Sequence, residues 1–374
     1  MSFLELFFDL VFVVIISQLA HTLAEHPTWE GAGWFVFLFL AVWSSWTNGT
    51  LYYDLHGTND VSVRVFTFAQ MLAVALMGVF VGSIPGDGEQ GFAFVYAVNV
   101  LILVVIWFRT GVHDPAHRPA SIPYSTFYFL SALTFFGSIY VAPPVRYWLW
   151  AVGLMLQVVG QVIAFRRWTP PESQGGEAVI AVTGSLVERL GLFVIIVLGE
   201  VIVGAVAGMA EVEDLDFDGI AVGMLGVLVA IGLWWIYFDL VSHREPISHL
   251  SQLWLNLHLP LVIAIAAGGA GVLNTVLRPA GNLPDRVRWL LVSALAVAMV
   301  TVAVITHTLE SRRRSSEIFV RAEVTMYASA VLALLVGLTD WGANLTLVAM
   351  VALLLAPVVV ALWVLKARLA AAVP

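Results

Sequence analysis

The chain is a succession of long apolar runs, broken by short stretches that hold Pro, Gly and most of the charge. Each run is about 20 residues, the length an α-helix needs to cross the about 30 Å hydrocarbon core of a bilayer. The pattern predicts twelve helices, near residues 4–23, 32–54, 64–84, 90–110, 124–141, 146–166, 179–208, 218–241, 252–276, 287–308, 318–337 and 342–367. The fifth, from Tyr124 to Val141, is short and rich in Ser and Thr. The expected fold class is an all-α membrane protein of about twelve transmembrane helices.

Composition removes the soluble alternative. Of 374 residues, 60% are hydrophobic and only 11% charged, and the mean hydropathy is +0.94. Soluble domains carry about a quarter charged residues, so a soluble fold here has too little polar surface to cover itself. The absence of cysteine excludes disulfides, thiolate metal sites and cysteine nucleophiles. The first apolar run carries acids instead of a basic leader and is followed by further spans, which is not a signal-peptide pattern. With a net charge of −8 and scattered basic residues, nucleic-acid binding has no support.

Lys and Arg near the helix ends set the orientation. With the N-terminus inside, twelve basic residues fall at inside ends, among them Arg64, Arg109, Arg166, Arg244 and Lys366. Four fall outside (Arg146, Arg278, Arg286 and Arg288), and Arg189 lies within the seventh helix. The outside loops at 86–90 and 211–219 are acidic. An even number of spans then places both termini in the cytoplasm.

An internal repeat is also expected. ELFFDLVFVVIISQL (5–19) resembles ERLGLFVIIVLGEVI (188–202) at an offset of 183, and LYYDL (51–55) matches IYFDL (236–240) at an offset of 185. Two matches at nearly one offset suggest duplication, with halves at residues 1–176 and 177–374. Six spans per copy is even, so the two halves are expected to be parallel repeats.

Carboxylates in a bilayer are expensive, about 2.5–3.5 kcal/mol for Asp at a helix centre on insertion scales. Glu5 and Asp9 are four residues apart and share one helix face. They form either an interfacial cluster favoured by the helix dipole or an inward pair partnered by a cation. The seventh helix begins with Glu188 and Arg189 and carries Glu200 within an apolar run. Glu200 lies about 17 Å beyond Arg189 on the same face, with Gly199 and Gly204 opening space beside it. It is either a protonated acid bonded to a neighbouring helix or a carboxyl that titrates in proton coupling. Asp54 and Asp239 end the second span of each half, as interfacial caps or as pathway lining. Trp43, Trp46, Trp234 and Trp235 lie in these helices, as bundle packing or cavity lining. His258 sits beside Asn256 and the kinking Pro260, as a packing histidine or part of a substrate site. His113 and His117 read as loop residues around Pro115. GGAG (268–271) reads as close helix packing, and RRR (312–314) as a cytoplasmic anchor near anionic headgroups.

ELFFDLVFVVIISQLAH and ERLGLFVIIVLGE resemble the two most recognisable stretches of the bacterial low-temperature-requirement A family. The resemblance covers essentially the whole chain. It implies a polytopic protein of the bacterial inner membrane, linked by name to growth in the cold. The motif positions on this chain are Glu5, Asp9, Glu188, Arg189 and Glu200.

The leading functional expectation is a proton-coupled secondary transporter of a small solute, with the bilayer, that solute and protons as partners. No cofactor, metal or ATP-binding motif is expected. Glu200 is the candidate titrating group and Arg189 biases its charge, while Glu5, Asp9, Glu188, Asp54 and Asp239 are the candidate inner gate and His258 a pathway residue. The alternative is a non-transport membrane sensor or binding protein responsive to lipid state, with a lipid-facing groove.

Overall fold

The computed structural model describes residues 3–56, 61–167, 182–212, 215–278, 282–314 and 316–371. The expected boundary at 176/177 lies outside the described residues, as do the side chains of Arg313, Arg314 and Arg368. Thirteen α-helices and no strands occur among the described residues. They are α1 (Phe3–Glu25), α2 (Trp29–His56), α3 (Val61–Val81), α4 (Glu89–His113), α5 (Arg118–Ser138), α6 (Val145–Arg167), α7 (Gly184–Glu211), α8 (Phe217–Leu240), α9 (Ser251–Val276), α10 (Asp285–Thr306), α11 (Glu310–Arg314), α12 (Ser316–Val336) and α13 (Ala343–Ala371). All except the single-turn α11 have 21 residues or more.

Ten of these helices are long and apolar enough to cross a membrane. The other two long helices are α2 and α5. Their apolar faces are diluted by hydroxyl and amide side chains: Ser44, Ser45, Thr47, Asn48 and Thr50 in α2, and Ser121, Ser125, Ser131 and Thr134 in α5. Helix α5 also starts earlier than its apolar pattern suggests. Pro119 occupies the first turn, where no donor is needed. The turn before it is closed by Asp114, whose carboxylate accepts from Ala116 N at 3.0 Å and lies 2.6 Å from His117 Nδ1. His113 therefore ends α4, and only His117 stands in the connection.

The chain divides into two compact units. The first comprises residues 1–19 and 33–186, the second residues 20–32 and 187–374. In the first, α3 packs on α4, α4 on α5 and α5 on α6. Helix α2 joins α6 through Trp34 on Tyr147, with ring centroids 4.6 Å apart. In the second, α9 packs on α10, α10 on α12, α12 on α13 and α8 on α13. Asn274 in α9 donates to Ala24 O at 2.7 Å and fastens the last turn of α1 within that unit.

Small residues set the closest approaches in the second unit. A Cβ on Gly204 would lie 2.7 Å from Gly269 O, and one on Gly269 would lie 3.0 Å from Glu200 O. A Cβ on Gly271 would meet Leu291 Cα at 2.9 Å. The GGAG stretch is thus a helix-crossing surface, with backbone pressed on backbone as lipid-embedded packing favours.

Candidate functional site

The first unit holds three of the singled-out carboxylates. Asp9 is fully buried beside the equally buried Phe8, and Phe7 and Leu10 face outward. The indole Nε1 of Trp46 in α2 donates to Asp9 Oδ1 at 2.8 Å. Asp9 therefore faces the interior, held by a donor from the neighbouring helix. Glu5, one turn earlier, is half-buried. Asp54 is half-buried too, and accepts from Thr183 Oγ1 at 2.6 Å. The same hydroxyl accepts from Leu186 N at 3.0 Å, so one threonine caps the start of α7 and holds Asp54.

The second unit holds the rest. Arg189 is fully buried, and Glu200, 6% exposed, lies at the crossing of α7 on α9; a Cβ on Gly269 would meet Glu200 O. Gly204 makes the close approach there, whereas a Cβ on Gly199 would meet nothing within 4 Å. Glu188 is exposed at the start of α7. His258 is fully buried. Its Nδ1 lies 2.8 Å from the carbonyl of Trp254, which can only accept, so Nδ1 carries the proton. Nε2 is then the acceptor for Tyr237 OH at 3.1 Å. Both ring nitrogens are satisfied in the neutral form. Asp239 is exposed and accepts from Trp235 Nε1 at 2.9 Å. The acids Asp54 and Asp239, matched in sequence, stand in different surroundings. So do the tryptophans: Trp43 and Trp46 are buried, while Trp234 and Trp235 face outward.

Three polar clusters escaped the sequence reading. Glu89 at the start of α4 is buried against Arg146 and Tyr147 of α6, and also accepts from Gly86 N at 3.0 Å. Arg146 Nε donates to Ser138 O, at the C-terminal end of α5, at 3.1 Å. In the second unit Glu323 takes a paired contact from Arg312, with Nε at 2.7 Å and Nη2 at 2.9 Å, and a hydroxyl bond from Thr306 at 2.7 Å. The hydrogen bonds to Glu323 raise the Arg312 guanidinium above its ordinary value. Lone charges near helix ends look like membrane anchors in a sequence, and nothing in their spacing announces the partner.

The third cluster is uncharged and lies mid-helix. Gln157 of α6 accepts from Ser44 of α2 and from Tyr96 OH of α4, at 3.2 Å for the latter, and donates to Ser131 of α5 at 2.8 Å. Asn99 of α4 donates to Ser45 at 2.8 Å, and Asn48 to Ser44 O at 2.7 Å. Ser45, Asn48, Asn99, Ser131 and Gln157 are each at most 2% exposed. The signal was present in the Ser and Thr of the fifth span, which read as weakness of a span instead of as a buried polar face. Among the described residues no group of three or more His, Asp or Glu is placed to hold a metal.

The family model described as bacterial low temperature requirement A protein (LtrA) matches residues 1–365. The chain belongs to this family. A protein of Rhizobium meliloti (strain 1021), described as uncharacterized, is 30% identical over 297 residues, which cover 72% of this chain and 68% of that one. As a family member with ten apolar helices of spanning length, the chain is a multi-pass membrane protein. The LtrA match spans both the Asp9 segment and the Glu200 segment.

Proposed function

We propose that this protein is a proton-coupled secondary transporter of a small solute in the bacterial inner membrane. Twelve spans form two parallel six-helix halves, and both termini are cytoplasmic. The observation that carries the reading is Glu200, a carboxylate 6% exposed far from either end of a spanning helix. A carboxyl there titrates only if a proton reaches it, and burial makes its charged and neutral forms differ strongly in energy. Arg189, fully buried about three turns earlier on the same helix, is the cation proposed to bias its charge state. Glu5, Asp9 and Asp54 in the first unit, and Glu188, Asp239 and His258 in the second, are proposed pathway groups within their own units. The exposed Glu188 and Asp239 suit a water-facing mouth.

The repeat draws support from the internal pairings of the two units. The third helix packs on the fourth, the fourth on the fifth and the fifth on the sixth in each, when α7 is counted as first and the short α11 is passed over. In each, a tyrosine near the end of the second helix bonds a buried polar group of the third: Tyr53 to Gln70 at 2.9 Å, and Tyr237 to His258 at 3.1 Å.

The test is reconstitution in liposomes enclosing a pH dye. A screen of solutes is expected to find one whose gradient drives proton movement through the wild type and not through Glu200→Gln. Equal proton movement through the variant refutes the coupling role of Glu200.

A second reading, a lipid-responsive binding protein, rests on an open cleft of about 490 Å³ in the second unit. Leu23, Trp29, Trp289 and Leu290 give it apolar walls, and Asp285 and Arg286 stand among its polar lining. It predicts retention of bound lipid through purification and no solute-driven proton flux.

A further inference from the structure

We infer that the uncharged cluster in the first unit binds a small neutral solute of the amide or polyol class, which both donates and accepts hydrogen bonds. The inference deepens the transport reading and rests on it for the movement of that solute, though not for its binding.

The cluster is incomplete in a way that a purely structural network is not. A sealed network inside a bilayer closes its hydrogen bonds, because no solvent is available to satisfy those left open. Here the carboxamide oxygens of Asn48 and Asn99 have no hydrogen-bond partner, although the side chains are 1% and 0% exposed. Exchanging the oxygen and nitrogen of either amide swaps donor for acceptor and still leaves one end unmatched. The hydroxyl of Thr47, one turn from Ser44 on α2, is also buried without a partner. Tyr128 OH approaches Ser44 without forming a well-shaped bond. These atoms lie on three helices whose polar side chains already meet at Ser44, Ser45 and Gln157.

The chemistry of the open groups defines the ligand. The hydrogen bonds of the cluster join only hydroxyls and amides, so nothing in it compensates a buried charge, and an ion is disfavoured. Carboxamides and hydroxyls together match a solute that presents N–H or O–H beside an oxygen. Aromatic rings border the cluster, with Tyr96, whose hydroxyl bonds Gln157, on Phe135 at 4.3 Å. Such rings pack against the carbon skeleton of a small polyol or the flat face of an amide. The polar residues also account for why α2 and α5 stand outside the ten helices apolar enough to span: their hydroxyls and amides face a ligand, not lipid.

The experiment uses the full chain in proteoliposomes, with entry of urea, glycerol and the cation choline followed by light scattering and the internal pH by an enclosed dye. Urea or glycerol is expected to enter faster than into protein-free liposomes, and choline is not. Asn99→Leu is expected to slow neutral entry about fivefold to tenfold, as fits a lost buried hydrogen-bond partner. Ser45→Ala, which removes one hydroxyl and little volume, is expected to slow it in the same direction and guards against misfolding of the leucine variant. Neutral entry without a pH change supports the ligand class and refutes proton coupling. Choline-driven proton movement with urea and glycerol at background supports coupling and overturns the ligand class. Neutral entry unaltered in both variants overturns the site.

Discussion

Asp9 shows how a single buried carboxylate is made tolerable. One oxygen accepts a hydrogen bond from the indole Nε1–H of Trp46 at 2.8 Å in a place that water does not reach. A hydrogen bond to a charged group contributes about 1.5–3 kcal/mol, and losing the donor exposes the desolvation penalty of the acceptor. Trp46→Phe is therefore expected to lower stability by about 1–3 kcal/mol, measured by thermal unfolding in detergent. Asp9→Asn in the same background completes a double-mutant cycle, and its coupling energy is expected to exceed about 0.5 kcal/mol, while additive effects would remove Trp46 as a significant partner. Asp114 shows the opposite case, a carboxylate at the surface and in reach of water. Its hydrogen bond to His117 holds it below the ordinary carboxylate range. A depressed folded value stabilises the turn at pH above the unfolded value of about 3.9, and that support is lost as pH falls through the folded value. The protection factor of the Ala116 amide, taken against its intrinsic exchange rate, is expected to fall below that pH in the wild type. Asp114→Ala is expected to leave that amide unprotected at all pH values.

At the scale of helices, the crossing of α7 on α9 depends on which glycine faces the neighbour. Gly204 and Gly199 are five residues apart on one helix, and the sequence offers no way to tell their roles apart. A methyl group at 204 would sit 2.7 Å from a backbone oxygen that cannot swing aside, whereas one at 199 meets open space. Gly204→Ala is expected to destabilise by about 1–3 kcal/mol through overpacking. Gly199→Ala is expected to be neutral or stabilising by up to about 1 kcal/mol, since alanine is the better helix former. Thermal unfolding of the two variants side by side decides the matter, and equal losses would contradict the packing of α7 on α9. Helix ends follow a related logic: Arg146 and Arg288 each donate to a carbonyl at the C-terminal end of the fifth long helix of their unit, Ser138 and Gly337. A cation there complements the negative end of the helix dipole.

For the molecule as a whole, the topology is open to direct measurement because the chain has no cysteine to remove. Single cysteines at the exposed positions 87, 116 and 142 fall in the connections α3–α4, α4–α5 and α5–α6. In intact cells a membrane-impermeant maleimide is expected to label 87 and 142 but not 116. Labelling of 116 alone reverses the orientation. A shared response at 116 and 142 shows that α5, the Ser-rich helix with Pro119 and Pro123, does not cross.

The sequence by itself determined the solvent and the elements. Sixty per cent apolar residues in runs of spanning length leave the bilayer as the only place for this chain, and each run became a helix because isolated backbone in lipid must satisfy itself. Glu200 and Asp9 also stood out in the sequence, since a carboxylate in an apolar run is conspicuous wherever it points. Tertiary structure alone decided which side of a helix meets a neighbour. It turned Trp46 inward and Trp235 outward, chose Gly204 over Gly199, and paired Glu89 with Arg146 across 57 positions of sequence. It also gathered hydroxyls and amides from four helices that a one-dimensional reading averages into weak hydropathy. Hydrophobicity is a property of a segment and survives in the sequence, but a contact needs two segments, and their pairing exists only once the helices pack.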